Sequence, residues 1–247
     1  MRSLNTVNQY WDLLVSIIIF ILLVACQITP EWVSDDGVTG EVYPEENWQL
    51  ADTPEQLGWS SEKLAKARDY SKKIGSAAVM IVSDGKVVAA WGDVTRKFKC
   101  HSMRKSLMSA LIGIHVDGGN IDLGKTMKEL EIDDYEPSLT PEEKQATVGD
   151  LIRARSGIYH EALGESQMMK DMRPERHSHA PGTFWYYNNW DFNALGTIFE
   201  QETKTKIFKE FERCFAKPLQ MEDFKARDCR YVSSDDVGKP FLSWHRY

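Results

Sequence analysis

The chain has 247 residues, of which 27% are charged and 42% hydrophobic, with a formal net charge of -7. Such a length and composition suit one or two globular domains with a sizeable core and argue against a disordered or solenoid protein. The acidic balance, without a basic run, excludes nucleic acid as a natural partner.

The first pattern is an apolar run from Leu13 to Val24. About twelve residues fall short of the roughly 20 that span a bilayer, but they suit the core of an export signal. Arg2 is the early cation, and Asp12 abuts the run. The run closes on Leu23-Val24-Ala25-Cys26, which resembles the lipobox of bacterial lipoproteins. That resemblance implies removal of residues 1–26 as a signal peptide ending at Cys26, lipidation at Cys26, and a membrane partner through the lipid anchor. The alternative is an uncleaved signal anchor. Either places residues 27–247 outside the cytoplasm, in a bacterial cell envelope, facing the periplasm or at the cell surface.

Residues 27–59 read as an extended lead-in, with Pro30, Gly37, Gly40, Pro44 and Pro54 and no periodic pattern. Ser60 and Ser61 before Glu62-Lys63-Leu64 predict a capped helix start, and Gly75 stops that helix. Two β-prone runs flank Asp84-Gly85, which predicts a hairpin over 77–91. Met103, Leu107, Ala110, Leu111 and Ile114 recur at helical spacing, predicting a buried amphipathic face that ends at Asp117-Gly118-Gly119-Asn120. Gly124 to Leu130 carries only a weak pattern. Thr147 to Ala154 reads as a helix ended by Ser156-Gly157, and residues 158–182 as a loop. Asn189–Glu200 and Ile207–Cys214 read as helices.

The pattern Ser-x-x-Lys occurs three times. Ser60 and Lys63 belong to a helix cap, and Ser83 and Lys86 border the hairpin turn. Ser102 and Lys105 stand where a helix begins, and residues three apart share a helix face. A hydroxyl beside an amine is the minimum apparatus of a serine nucleophile with a lysine base. Arg104 and Lys105 are cations at the helix end that prefers acids. The same positive field, with burial, would lower the lysine pKa toward that of a neutral base. The plain alternative is a surface lysine. A second group follows the Pro181-Gly182 turn. Tyr187 and Asn189 lie two apart where extended chain gives way to helix, so a phenol and an amide can face one cavity. A turn leading into a core helix explains the same residues without chemistry.

Together these segments resemble the serine β-lactamase and penicillin-binding-protein-like hydrolases. The branch they are most similar to is that of class C β-lactamases with their esterase and 6-aminohexanoate-dimer-hydrolase relatives. The likeness runs from about Trp59 to Tyr231. It rests on the Asp84-Gly85 hairpin, His101 to Ser106, Ala146 to Ile158 with Ser156-Gly157, and Pro181-Gly182 followed by Tyr187 and Asn189. The pair Tyr186 and Asn188 fits the family spacing less well. The resemblance implies an α+β, β-lactamase/transpeptidase-like fold over residues 60–247. An N-terminal helix and hairpin would join a mostly helical subdomain.

By that resemblance Ser102 is the nucleophile, Lys105 its base and Tyr187 the proton relay, while Asn189 orients Lys105 and substrate. The Ser102 N–H supplies half an oxyanion hole. Tyr159 and His160 are substrate-side candidates. The substrate is a small ester or amide, or a peptide, cleaved through an acyl-enzyme with no metal or cofactor implied. β-Lactam or D-Ala-D-Ala peptide is the runner-up substrate class. The family's Lys-Thr-Gly or His-x-Gly strand is absent from the sequence. Lys125-Thr126-Met127, Lys204-Thr205-Lys206 and Ser234-Asp235-Asp236 do not replace it or the family's Ser-Asp-Asn. The fold is therefore expected to be incomplete, its final strands encoded in a longer gene or supplied by another chain; a fragment is favoured.

The rival reading is a non-catalytic envelope protein that binds cell-wall peptide or another protein. His177-Ser178-His179 with His160-Glu161 offers metal-type donors, though incidental loop histidines account for them. Export permits a disulfide, with Cys214–Cys229 one pairing, and Cys100 then reads as a small buried residue.

Overall fold

A computed structural model of the chain describes residues 42–44, 47–134 and 137–231. The apolar run, Cys26 and Ser234-Asp235-Asp236 lie outside these residues. No helix among the described residues is long and apolar enough to cross a membrane.

The described chain is α+β, with a three-stranded sheet against a largely helical body. Strands β1 (Gln49–Leu50), β2 (Ala78–Ser83) and β3 (Lys86–Gly92) lie in the order β1-β3-β2. β2 and β3 are antiparallel and β1 runs parallel to β3. Asp84 and Gly85 both take positive φ, 49° and 74°. Two successive positive φ values are what a two-residue hairpin turn of matching twist requires, hence Asp-Gly. The lead-in thus contributes an edge strand, which two residues were too short to announce. Ala51 N–H extends the pairing by donating to Val87 O at 2.9 Å.

Helix α1 (Ser61–Lys73) starts as its sequence predicts, with the Ser60 side chain accepting from Lys63 N–H. Its Ser71 hydroxyl accepts from Trp91 Nε1 at 2.7 Å, which fastens the helix to β3. Gly92 closes that strand with φ 78°, where a Cβ would meet Ala77 O at 2.3 Å. Only glycine fits so close an approach.

Helix α2 (Arg104–Asp117) follows a 3-10 turn over His101–Met103. Its buried positions are Lys105, Leu111, Ile112 and His115. Of the apolar stripe expected from sequence only Leu111 is buried; Met103, Leu107 and Ile114 are 74%, 46% and 41% exposed, and Ala110 is exposed too. The helix is apolar on several sides, so periodicity did not single out the face that packs. His115 decides it, meeting Phe199 edge-on at 5.0 Å.

Helix α3 (Val148–Ile152) begins with a reciprocal cap. Thr147 accepts from Asp150 N–H, and the Asp150 carboxylate accepts from Thr147 N–H. Such a box satisfies two orphan donors at once. The stretch read as loop contains a short helix, α4 (Gln167–Asp171). Helices α5 (Asn189–Thr203) and α6 (Ile207–Phe211) complete the body, and one π-type turn, Glu212–Ala216, follows α6. The core joins α2, α3 and α5 through Leu111, Ile112, Leu151, Trp190, Leu195 and Phe199.

Candidate active site

Lys105 is buried, a rare place for a side chain that is charged when exposed. Its Nζ donates to Tyr187 Oη at 2.6 Å and to Asn189 Oδ1 at 2.7 Å. The faces of Tyr187 and Phe192 lie 4.0 and 4.4 Å from the amine. Burial pulls the Lys105 pKa down to about 7; the Arg104 charge lowers it further, and Asp191 opposes. Desolvation disfavours a lone ammonium, so the group is poised between acid and base near neutrality.

Helix geometry explains how the partners arrive. Asn188 caps α5, its side-chain oxygen accepting from Asp191 N–H at 2.8 Å. Asn189 therefore occupies the first turn of α5 and points toward Lys105, and its Nδ2 reaches Leu163 O at 3.4 Å. Tyr186 is spent elsewhere, its hydroxyl donating to Met169 O at 2.7 Å. Of the two overlapping Tyr-x-Asn pairs, Tyr187 with Asn189 surrounds the lysine, while Tyr186 with Asn188 builds the scaffold.

Ser102 lies in the 3-10 turn just before α2 and is exposed. The turn covers His101–Met103 only, so Lys105 lies beyond it in the first turn of α2. Among the described residues the Ser102 Oγ makes no hydrogen bond. His101, the residue before it, holds φ 43°, a left-handed conformation seldom taken outside glycine. No side chain caps this turn or α2; Met103 N–H donates to Cys100 O and Arg104 N–H to Ser102 O.

Asp191 is the residue that sequence reasoning missed. It is fully buried in the first turn of α5, and its Oδ1 accepts from Ser156 Oγ at 2.5 Å. Its Oδ2 has no partner. Burial lifts its pKa to about 7, against the lowering pull of Ser156, Asn188 and the Lys105 charge. An acid amid Trp190, Ala194, Leu195 and Ile198 on a core helix was the available signal. Ser156 also accepts from Ile158 N–H at 3.0 Å. Gly157 turns the chain with φ 71°, where a Cβ would stand 2.7 Å from His179 O.

The remaining candidates have hydrogen-bond partners other than the lysine. Tyr159 is buried, and its hydroxyl meets His179 Nδ1 at 3.1 Å. Burial, then Asp191, raises its pKa. His160 is also buried, with Nδ1 2.9 Å from Asp134 Oδ2, an oxygen that also accepts from Trp190 Nε1 at 2.7 Å. His177 Nδ1 and His160 Nε2 lie 3.8 and 3.7 Å from the same Glu143 Oε1, while His179 meets the Tyr159 phenol. Another His-carboxylate-thiol group joins His115, Glu210 and Cys214 within 4.8 Å. There Arg213 already engages both Glu210 oxygens.

Comparisons with known proteins give the family and the fold. The chain belongs to the beta-lactamase family: residues 61–237, more than half of its length, match the family model described as Beta-lactamase. The relationship is with the serine β-lactamase and penicillin-binding-protein-like members, and the fold is β-lactamase/transpeptidase-like, covering part of the domain. Protein flp of Staphylococcus aureus (strain NCTC 8325 / PS 47) is 24% identical over 187 residues, covering 66% of this chain and 37% of flp. The chain thus spans little more than a third of the length of that curated relative. Among solved structures, an octameric penicillin-binding protein homologue from Pyrococcus abyssi aligns with a TM-score of 0.52 and 20% identity, over 76% of this chain and 51% of that one. FmtA from Staphylococcus aureus aligns with a TM-score of 0.51 and 16% identity, over 79% and 57% of the two chains.

Proposed function

We propose that this chain carries serine-hydrolase chemistry directed at an ester or amide. The observation that supports it most is the buried Lys105 amine, held by Tyr187 and Asn189 with its pKa brought to about 7. Neutral Lys105 takes the Ser102 proton as Oγ attacks the substrate carbonyl. The Ser102 N–H receives part of the developing oxyanion, a contribution often near 3 kcal/mol per donor. Tyr187 passes the proton from Lys105 to the leaving group, and Asn189 keeps the amine aimed. Water then releases the acyl group from Ser102. Ester or linear amide ranks ahead of β-lactam or D-Ala-D-Ala peptide, because no residue here is diagnostic for a lactam.

We place the chain in a bacterial cell envelope, exported by residues 1–26 and anchored through a lipid on Cys26. Palmitate labelling that survives Cys26→Ser would refute the anchor.

A second reading is a non-catalytic envelope binding protein. Mixing the chain with p-nitrophenyl acetate separates the two. The enzyme gives a burst of p-nitrophenol matching the protein concentration, abolished in Ser102→Ala. No burst from folded protein leaves the binding protein.

A further inference from the structure

Three cysteines, Cys100, Cys214 and Cys229, are free among the described residues. The Cys214–Cys229 pairing that export would permit is not formed. The Cys214 thiol instead donates to Glu210 Oε1 at 3.6 Å. Cys100 and Cys229, far apart in sequence, line one apolar groove of about 360 Å³, walled by Leu107, Leu111, Phe208 and Phe224. Helical spacing turns Arg104, Leu107 and Leu111 away from Lys105. The groove is therefore distinct from the candidate active site.

Both cysteines sit at tight turns that border the groove. Cys100 starts the 3-10 turn that carries Ser102, its carbonyl accepting from Met103 N–H at 3.0 Å. Cys229 ends a tight turn, its N–H donating to Ala226 O at 3.2 Å. The residues beside them are joined by an ion pair, Lys97 Nζ to Asp228 Oδ2 at 2.5 Å. Burial raises the Cys229 pKa, and Cys100 raises it further. That second influence is the mark of two thiols sharing one poorly solvated space.

We propose that Cys100 and Cys229 form a disulfide that fastens the 226–229 turn to the segment entering α2. One thiolate attacks a small disulfide oxidant of the oxidised-glutathione class, giving a mixed disulfide and one small thiol. The second protein thiolate attacks the mixed disulfide, forming the Cys100–Cys229 bond and releasing a second small thiol. Two protein thiols lose two electrons, one oxidant disulfide gains them, and the protons leave on the two released thiols. Such a bond persists in oxidising compartments, in keeping with the export proposed above. It closes a long loop of chain, the case in which a cross-link constrains the unfolded state most.

The test uses the full chain, purified under reductant and exposed to oxidised glutathione, then alkylated in acid and mapped by peptide mass. The expected product is the Cys100–Cys229 peptide pair, with Cys214 alkylated, and with the preference lost when oxidation is done in concentrated urea. Held side by side, the thiols see each other at an effective concentration in about the millimolar range or above, so ring closure outruns a second glutathione. The oxidised chain unfolds at a higher urea midpoint than the reduced chain. That difference persists in Cys214→Ala and vanishes in Cys229→Ala. A cross-link through Cys214, separate glutathione adducts on Cys100 and Cys229, or two unreacted thiols in the folded chain each overturns the proposal.

Discussion

The poise of Lys105 gives the sharpest prediction. At pH 7 an amine with a pKa of about 7 is neutral in about half of the molecules, whereas one at 10.5 is neutral in about one in three thousand. Burial among Tyr187, Asn189 and Phe192 therefore makes the base about a thousandfold more available than an exposed lysine. The rate of Ser102 acylation by a p-nitrophenyl ester, followed by stopped flow, should fall about tenfold per pH unit below about 7 and level off above it. Asp191 raises the Lys105 pKa, so Asp191→Asn should move the inflection to lower pH. Lys105→Arg, which cannot deprotonate, should abolish the burst across the range. A rate flat from pH 5 to 9, or one rising only near pH 10, would refute the reasoning.

Three further outcomes are expected. Asn189→Leu removes one of the two oxygens holding Nζ and should slow acylation by about 10- to 100-fold, as loss of a buried bond worth about 1–3 kcal/mol implies, while the urea midpoint shows whether the fold survives. Asp191 has a folded pKa raised above its ordinary 3.8, so the native state binds the extra proton between pH 4 and 7 and stability falls as pH rises through that window; Asp191→Asn should flatten this slope in urea titrations at several pH values, and an unchanged slope would show that Asp191 is not its source. Gly157→Ala, forced to φ 71° with its Cβ 2.7 Å from His179 O, should lower stability by about 1–3 kcal/mol in the same assay, and a neutral result would contradict the close approach.

Sequence reading reached those parts of the molecule whose signals are local. Ser60 before Glu62 and Asp84-Gly85 between β-prone runs each encode a cap or turn within four residues, and each is where the sequence puts it. The pairing of Lys105 with Tyr187 and Asn189 joins positions more than 80 residues apart. It was legible only because several ordered motifs resemble one family. What stayed hidden depends on tertiary contact. The buried face of α2 is chosen by His115 against Phe199, and a helix apolar on several sides does not declare it. Asp191 looks like an ordinary first-turn acid until burial strips its solvent. The proximity of Cys100 and Cys229 follows from where the 226–229 turn docks, which no cysteine spacing encodes.

The account rests on Ser102 being a nucleophile activated by Lys105, and covalent capture tests it most directly. A fluorophosphonate incubated with the folded chain at pH 8 and mapped by peptide mass should place one adduct on Ser102, lost in Lys105→Arg. An adduct on another serine, or none on a chain shown to be folded, would contradict it.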